Sequence, residues 1–201
     1  MDTVRYYVAL LVVAFYPGAL LVWFSVHPFV GFWRKVGAKL TLAIHYGFIL
    51  AIAAGVYRMR RPVLAVEFGA DWGLSALGVV LLAVAVAMRR ALGRHLKPRI
   101  LQGLPELAPD KRAGRLLTEG IYSRIRHPRY VQITIAMAGY ALITNYLATY
   151  VLAVVGPPTL FLIVKLEERE LRERFGKEYD DYCARVPRFI PNSRAGGQRS
   201  M

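Results

Sequence analysis

Two small groups of charged residues stand at the ends of neighbouring apolar runs. The first is Arg126, His127 and Pro128, and the second is Glu167 and Glu168. Proline disfavours helical geometry at His127 and fits the first turn of a helix, so a helix is predicted to begin here. Amide groups at a helix N-terminus, together with the positive end of the helix dipole, favour an anion such as a carboxylate or phosphate. The glutamates would favour a cation.

The chain between the two groups is predicted to bring them together. Apolar runs over 129–145 and 147–166 are separated only by polar residues around Asn145, which indicates a tight antiparallel helical hairpin. Both arms are long enough to approach the thickness of a bilayer, so both ends return to the same leaflet. Pro157 and Pro158 are expected to bend the second arm. An anion site would then lie beside a carboxylate pair, which suits a zwitterionic or sulfonium-bearing ligand.

The composition is that of an integral membrane protein. Of the 201 residues 56% are hydrophobic, and further apolar runs over 6–26, 40–57 and 73–88 bring the predicted spans to about five. The expected fold is all-α and multi-spanning, with a C-terminal helical hairpin. An amphipathic helix should follow the hairpin on the cytoplasmic side, because apolar residues recur there at helical spacing. These residues are Leu171, Phe175, Tyr179 and Tyr182.

Basic residues orient the spans. Lys and Arg number 27 against 13 Asp and Glu. With the N-terminus outside, 23 of the 27 fall on the inner side, and the remaining four are Arg5, Arg58, Arg60 and Arg61. This asymmetry places both ends of the hairpin in the cytoplasm. Because the charges lie between apolar runs, they are better explained by anionic membrane lipids than by nucleic acid.

From about residue 116 to 191 the sequence resembles the catalytic half of the isoprenylcysteine carboxyl methyltransferase and phospholipid methyltransferase superfamily. Residues 117–122, Leu-Thr-Glu-Gly-Ile-Tyr, resemble its Val-Thr-x-Gly-Pro-Tyr lead-in. Residues 126–130, Arg-His-Pro-Arg-Tyr, resemble its Arg-His-Pro-x-Tyr signature, and the glutamate pair follows in the family's order. Two positions depart from the pattern. Gln132 stands where the family usually has Gly, and Gly114 where many relatives carry His.

The resemblance implies S-adenosylmethionine as the cofactor and a lipophilic methyl acceptor, isoprenylcysteine carboxylate-like or lipid-like, at the cytoplasmic leaflet. It implies catalytic roles for Arg126, His127 and Glu168. The implied cofactor-binding residues are Leu117, Gly120, Tyr122, Arg126, His127, Pro128, Tyr130 and Glu167.

Specific roles follow from the same resemblance. Arg126 and His127 would position the methionine carboxylate, and Glu167 the α-amino group. The ring of Tyr130 or Tyr122 would face the adenine or the sulfonium. Glu168 would orient the acceptor or Arg126. A carboxylate acceptor needs no general base, whereas a protonated amine would need His127 or a glutamate to remove a proton.

One membrane domain is expected over 1–201, with three spans in 1–90, the catalytic half in 91–191 and a disordered tail over 192–201. Cys183 is the only cysteine, so no intrachain disulfide or thiolate zinc site is expected, and no residue is assigned to a metal. The expected location is a prokaryotic inner membrane, without an obligate protein partner. Two alternatives stay open. One is a sterol-type reductase using NADPH, a class that tends to carry Arg-Asp where this chain has its glutamate pair. The other is a non-catalytic membrane protein that retains the fold.

Overall fold

The computed structural model of the chain describes residues 2–26, 28–93 and 116–191. The expected disordered tail and Gly114 lie outside the described residues. The helices are α1 Asp2–Val26, α2 Val30–Val36, α3 Ala38–Arg58, α4 Arg60–Val63, α5 Trp72–Gly93, α6 Pro128–Thr144, α7 Leu147–Phe175 and α8 Lys177–Arg185, with a 3-10 turn at Gly120–Ser123.

Four of these helices, α1, α3, α5 and α7, are long and apolar enough to cross a membrane. The remaining predicted span is α6, whose 17 residues measure about 26 Å and so lie at the short end of the range for a span. Within the described ranges the only sheet-like pairing is an isolated bridge between Glu67 and Tyr146. The predicted all-α, multi-spanning class is confirmed.

Two glycines set the distance between α5 and α6. A Cβ atom on Gly78 would lie 2.7 Å from the carbonyl oxygen of Gly139, and one on Gly139 would lie 2.9 Å from that of Gly78. Small residues permit such close approach between membrane helices, which associate by van der Waals packing rather than by exclusion of water. Because α6 begins at the Arg-His-Pro segment, this contact holds the first arm of the hairpin against the N-terminal spans.

Gly78→Ala is expected to destabilise the detergent-solubilised protein by about 1–3 kcal/mol, because the new methyl group would overlap backbone atoms that cannot move aside separately. The measurement is the thermal melting temperature. Gly55→Ala is the matched control, since a Cβ atom there would meet nothing within 4 Å and alanine favours a helix. A melting temperature of Gly78→Ala equal to or above that of Gly55→Ala would contradict this account of the helix contact.

The hairpin tip is built by the polar residues that separate the two apolar runs. Asn145 ends α6 in the left-handed conformation, with φ of 55°, which asparagine tolerates better than most residues. The Thr144 and Thr149 hydroxyl groups lie 2.8 Å apart, and the Tyr150 hydroxyl donates to Asn145 Oδ1 at 2.9 Å. The predicted tight turn is therefore confirmed. The helix α7 continues through Pro157, so the bend expected there stays a prediction.

Long-range contacts define the two ends of the bundle. Arg5, near the N-terminus, donates to the carbonyl oxygen of Thr144 at the hairpin tip. The Arg129 guanidinium lies over the ring of Trp23, 4.5 Å from its centroid. The end of α1 therefore lies beside the beginning of α6, and both are opposite the hairpin tip. This is the arrangement that the alternation of spans predicts.

The second hairpin arm is longer than the apolar run indicated. It continues past residue 166 to Phe175 and stops where Gly176 adopts φ of +52°, a conformation that favours glycine. Glu167 and Glu168 therefore lie inside a helix rather than at its end. The apolar stripe that follows is divided between α7 and α8 and joins one cluster with Leu116 and Val186. It packs against the chain itself, next to the glutamate pair.

Candidate functional site

Glu168 is the centre of a buried ionic cluster. Its side chain is only 2% exposed, and Arg126 Nη2 and His127 Nε2 lie 3.0 and 3.1 Å from its Oε1. Arg188 donates from Nε to Oε1 at 3.0 Å and from Nη2 to Oε2 at 2.6 Å. A buried carboxylate needs such partners to remain charged, and three basic side chains supply them here. The charge of the Glu168 carboxylate is thus balanced by basic side chains of the protein itself.

Arg188 is the member of this cluster that the sequence did not reveal. It belongs to residues 186–189, called here the C-terminal segment, which lie near the end of the predicted catalytic half. The backbone of this segment accepts hydrogen bonds from the amides of Arg126, at 2.9 Å to Pro187, and of His127, at 3.1 Å to Arg188. The available signal in the sequence was the basic charge of Arg188, which is too weak to assign a partner.

The open anion site expected before α6 is therefore partly filled. The amides of Arg126 and His127 donate to the C-terminal segment, and Pro128 has no amide hydrogen. Arg126 Nη1 donates to the carbonyl oxygens of Cys183, at 3.0 Å, and Val186, at 3.2 Å. Because its Nη2 faces Glu168, both terminal nitrogens of Arg126 are engaged within the protein. The N-terminus of α6 therefore mainly binds the C-terminal segment.

His127 lies between the two glutamates. Its Nε2 is 3.1 Å from Glu168 Oε1, and its Nδ1 is 3.6 Å from Glu167 Oε2, an ion-pair distance. Burial opposes the charged imidazolium, but the adjacent carboxylates of Glu167 and Glu168 outweigh this effect and raise the pKa of His127 above its usual value. The two carboxylates therefore favour the protonated ring, which donates hydrogen bonds and is a poor general base.

Glu167 is the part of the site that solvent reaches, with a side chain 26% exposed. The nearby Tyr122 hydroxyl is affected by it, since burial first and the charge of Glu167 second raise the pKa of Tyr122. The 3-10 turn that carries Tyr122 begins at Gly120, whose φ of +61° explains the glycine in the lead-in. Tyr182 fixes this turn by donating its hydroxyl to the Tyr122 carbonyl oxygen at 2.7 Å.

The remaining residues predicted from the sequence divide between partly exposed and buried positions. Leu117 is half-buried and Gly120 is exposed, whereas Pro128 is buried in the first turn of α6. Tyr130 is also buried, in a cluster with Leu160, Ile163 and Val164 of α7. Its ring centroid lies 5.9 Å from that of His127, so Tyr130 supports the histidine from the membrane side of the site. Gln132, the departure from the family pattern, is half-buried on α6.

The sequence is similar to known membrane methyltransferases. A family model described as phospholipid methyltransferase matches residues 72–178, more than half of the chain. Protein-S-isoprenylcysteine O-methyltransferase B of Arabidopsis thaliana is 24% identical over 155 residues, which are 77% of each chain. Protein-S-isoprenylcysteine O-methyltransferase of Schizosaccharomyces pombe is 35% identical over 77 residues, 38% of this chain and 33% of that protein.

A protein named for metal resistance is similar over a comparable stretch. The nickel-cobalt-cadmium resistance protein NccN of Alcaligenes xylosoxydans xylosoxydans is 30% identical over 81 residues, which are 40% of this chain and 38% of that protein. No solved structure matches the sequence. The matched family region includes both the Arg-His-Pro segment and the glutamate pair, and it ends before the C-terminal segment.

Proposed function

Because the chain belongs to the phospholipid methyltransferase family, we propose that it methylates a lipophilic acceptor with S-adenosylmethionine at the cytoplasmic leaflet. One observation carries this proposal. The Arg-His-Pro segment and the glutamate pair, far apart in sequence, meet at one end of the bundle, where the Glu167 carboxylate is 26% exposed. The basic asymmetry of the chain supports a cytoplasmic position for that end.

The residues present fit a ligand that carries a cationic amino-acid group. Glu167 would accept hydrogen bonds from the donor's α-ammonium, and the Tyr122 ring, which lies near this carboxylate, would face the sulfonium or the adenine. Leu117 and Gly120 would lie beside the same part of the donor. Pro128 and Tyr130 would contribute by holding the start of α6 in place. The bound donor would supply the methyl group from its sulfonium.

The ionic cluster revises the roles expected for the catalytic residues. If Arg126 or His127 gripped the methionine carboxylate, it would have to give up partners that it already holds in the cluster. We assign Arg126, His127 and Glu168 instead to positioning, with His127 holding Glu167 toward the donor. Positioning and desolvation can supply most of the rate of a direct displacement, since no covalent intermediate is needed.

The pairing of His127 with two carboxylates also bears on the acceptor. An acceptor that is already anionic, such as a carboxylate, needs no proton removed before it attacks the methyl group. An ammonium acceptor would need a base, but His127 is favoured in its protonated form, Glu168 is held by three basic groups and Glu167 is proposed to bind the donor's ammonium. The site therefore favours a carboxylate acceptor over a lipid amine, and the relatives from Arabidopsis thaliana and Schizosaccharomyces pombe are named as isoprenylcysteine O-methyltransferases.

Binding tests the proposal directly. The detergent-solubilised protein is titrated with S-adenosylhomocysteine and, separately, with NADPH, and only the first is expected to bind. Glu167→Gln should weaken S-adenosylhomocysteine binding by about tenfold or more, because it removes a hydrogen bond to a charged group. Glu173→Gln, at an exposed position of the same helix, should bind normally. Binding of NADPH alone would favour the reductase alternative.

A further inference from the structure

We propose that Arg188 is a positioning residue for donor binding, acting on Glu167 through Glu168 and His127. This inference rests on the proposed function and adds to it a residue that lies outside the matched family region of 72–178. It draws on the geometry of the ionic cluster and on the attachment of the C-terminal segment to the start of α6.

Arg188 contacts Glu168 differently from the other two basic residues. Within the described part of the chain, Arg126 and His127 both reach only Oε1, whereas Arg188 reaches Oε1 with Nε and Oε2 with Nη2. Such a two-point contact fixes the plane of a carboxylate as well as its position, because the guanidinium group presents its donors in a rigid fork. Arg188 therefore determines how the Glu168 carboxylate is rotated.

The rotation of Glu168 determines the orientation of the histidine. His127 Nε2 lies 3.1 Å from the Oε1 atom that Arg188 holds, and the opposite ring nitrogen lies 3.6 Å from Glu167. If the Glu168 carboxylate turned, the His127 ring would lose its contact with Glu168 at Nε2 and its alignment with Glu167 at Nδ1. The contacts form one chain from Arg188 to the half-exposed Glu167, where the donor's ammonium is proposed to bind.

The position of Arg188 is itself fixed by the backbone. Its own carbonyl oxygen accepts the amide hydrogen of His127, and its guanidinium lies 5.6 Å from the centroid of the Phe161 ring on α7. Arg188 is thus held by its backbone at the start of α6 and by its side chain on α7. It is also one-third exposed, so the role proposed for it does not follow simply from burial in the core.

Arg188→Gln is expected to weaken S-adenosylhomocysteine binding by about tenfold, a size typical of residues that share one ionic network. Arg188→Lys should recover only part of the affinity, because a single ammonium cannot hold both carboxylate oxygens. The control is Arg185→Gln, an exposed arginine nearby that donates to the carbonyl oxygen of Asp181. It should bind like the wild type. Equal affinity of Arg188→Gln and Arg185→Gln would overturn the inference.

A double-mutant cycle with Glu167 separates positioning from general destabilisation. If Arg188 acts through Glu167, then Arg188→Gln should cost little further affinity once Glu167 is already Gln. If the fold-losses in affinity of the two single variants simply multiply in the double variant, the inference is overturned, even if each single variant binds weakly. Should Arg188→Gln fail to fold, the same cycle is run with Arg188→Lys, which keeps the charge. A wild-type protein that does not bind S-adenosylhomocysteine would overturn the proposed function as well, and this outcome is distinct from either variant result.

Discussion

Glu168→Ala is expected to destabilise the protein by about 3–5 kcal/mol and to abolish donor binding, the largest effect foreseen at the site. The substitution would leave Arg126, His127 and Arg188 facing one another without the carboxylate that neutralises them. Since Glu168 is only 2% exposed, water cannot readily take its place. The three basic groups would repel one another and separate, and the C-terminal segment would lose its ionic attachment to α7.

Melting temperature and limited trypsin digestion measure this effect together. Trypsin cleaves after basic residues, so cleavage at Arg188 should become faster in Glu168→Ala than in the wild type. Glu173→Gln is the control, because that glutamate is exposed on the same helix and pairs with Arg169, a surface pair of about 0.5 kcal/mol or less. A Glu168→Ala protein that melts with the control and resists trypsin equally would refute the central place given to Glu168.

The sequence identified the glutamate pair but could not separate its members. Glu167 and Glu168 are adjacent, identical in type and at the edge of the same apolar run. Their difference arises because α7 continues beyond this run, so that successive residues point in different directions around the helix. The Glu168 carboxylate is turned toward the C-terminal segment, whereas the Glu167 side chain is partly exposed. Hydropathy and spacing contain no information about where that segment returns.

The parts of the fold that were predictable are those fixed by local properties. Apolar run length located α1, α3, α5, α6 and α7, and the alternation of spans predicted that the end of α1 lies beside the start of α6. The helices α2 and α4 have only seven and four residues, too few to show a helical period. Arg188 was missed for a related reason, since its partner is 20 residues earlier and the segment between them folds back on itself.

Arg5 shows the limit of interpreting basic residues as flanking charges. Charge counting placed it on the outer side as one of four residues there, with no further role. In the structure it is only 2% exposed and is held by several groups at the end of the bundle that carries the hairpin tip. These partners are the carboxylates of Asp2 and Glu67, at 3.0 and 2.9 Å, and the carbonyl oxygens of Gly69 and Thr144, at 2.6 and 2.9 Å. Arg5 thereby joins three parts of the chain.

Arg5→Met is therefore expected to destabilise the protein by about 2–3 kcal/mol, although methionine keeps the apolar bulk of the side chain. The buried Thr144 carbonyl would lose its donor, and Glu67 would lose its cation beside the bridge to Tyr146. Membrane orientation should not change, because the basic excess on the other side remains large. The measurement is the melting temperature, with Arg58→Met as the control at an exposed position.

Two variants are also expected to separate structural stabilisation at the Arg5 end of the bundle from donor binding at the Glu167 end. Arg5→Met should lower the melting temperature while leaving the affinity for S-adenosylhomocysteine unchanged below the transition, because Arg5 lies at the end of the hairpin opposite Glu167. Arg188→Gln should do the reverse and weaken binding more than it lowers the melting temperature. A loss of affinity in Arg5→Met at temperatures where the protein is folded would show that the hairpin transmits strain from its tip to the site. The two ends would then have to be treated as one coupled unit.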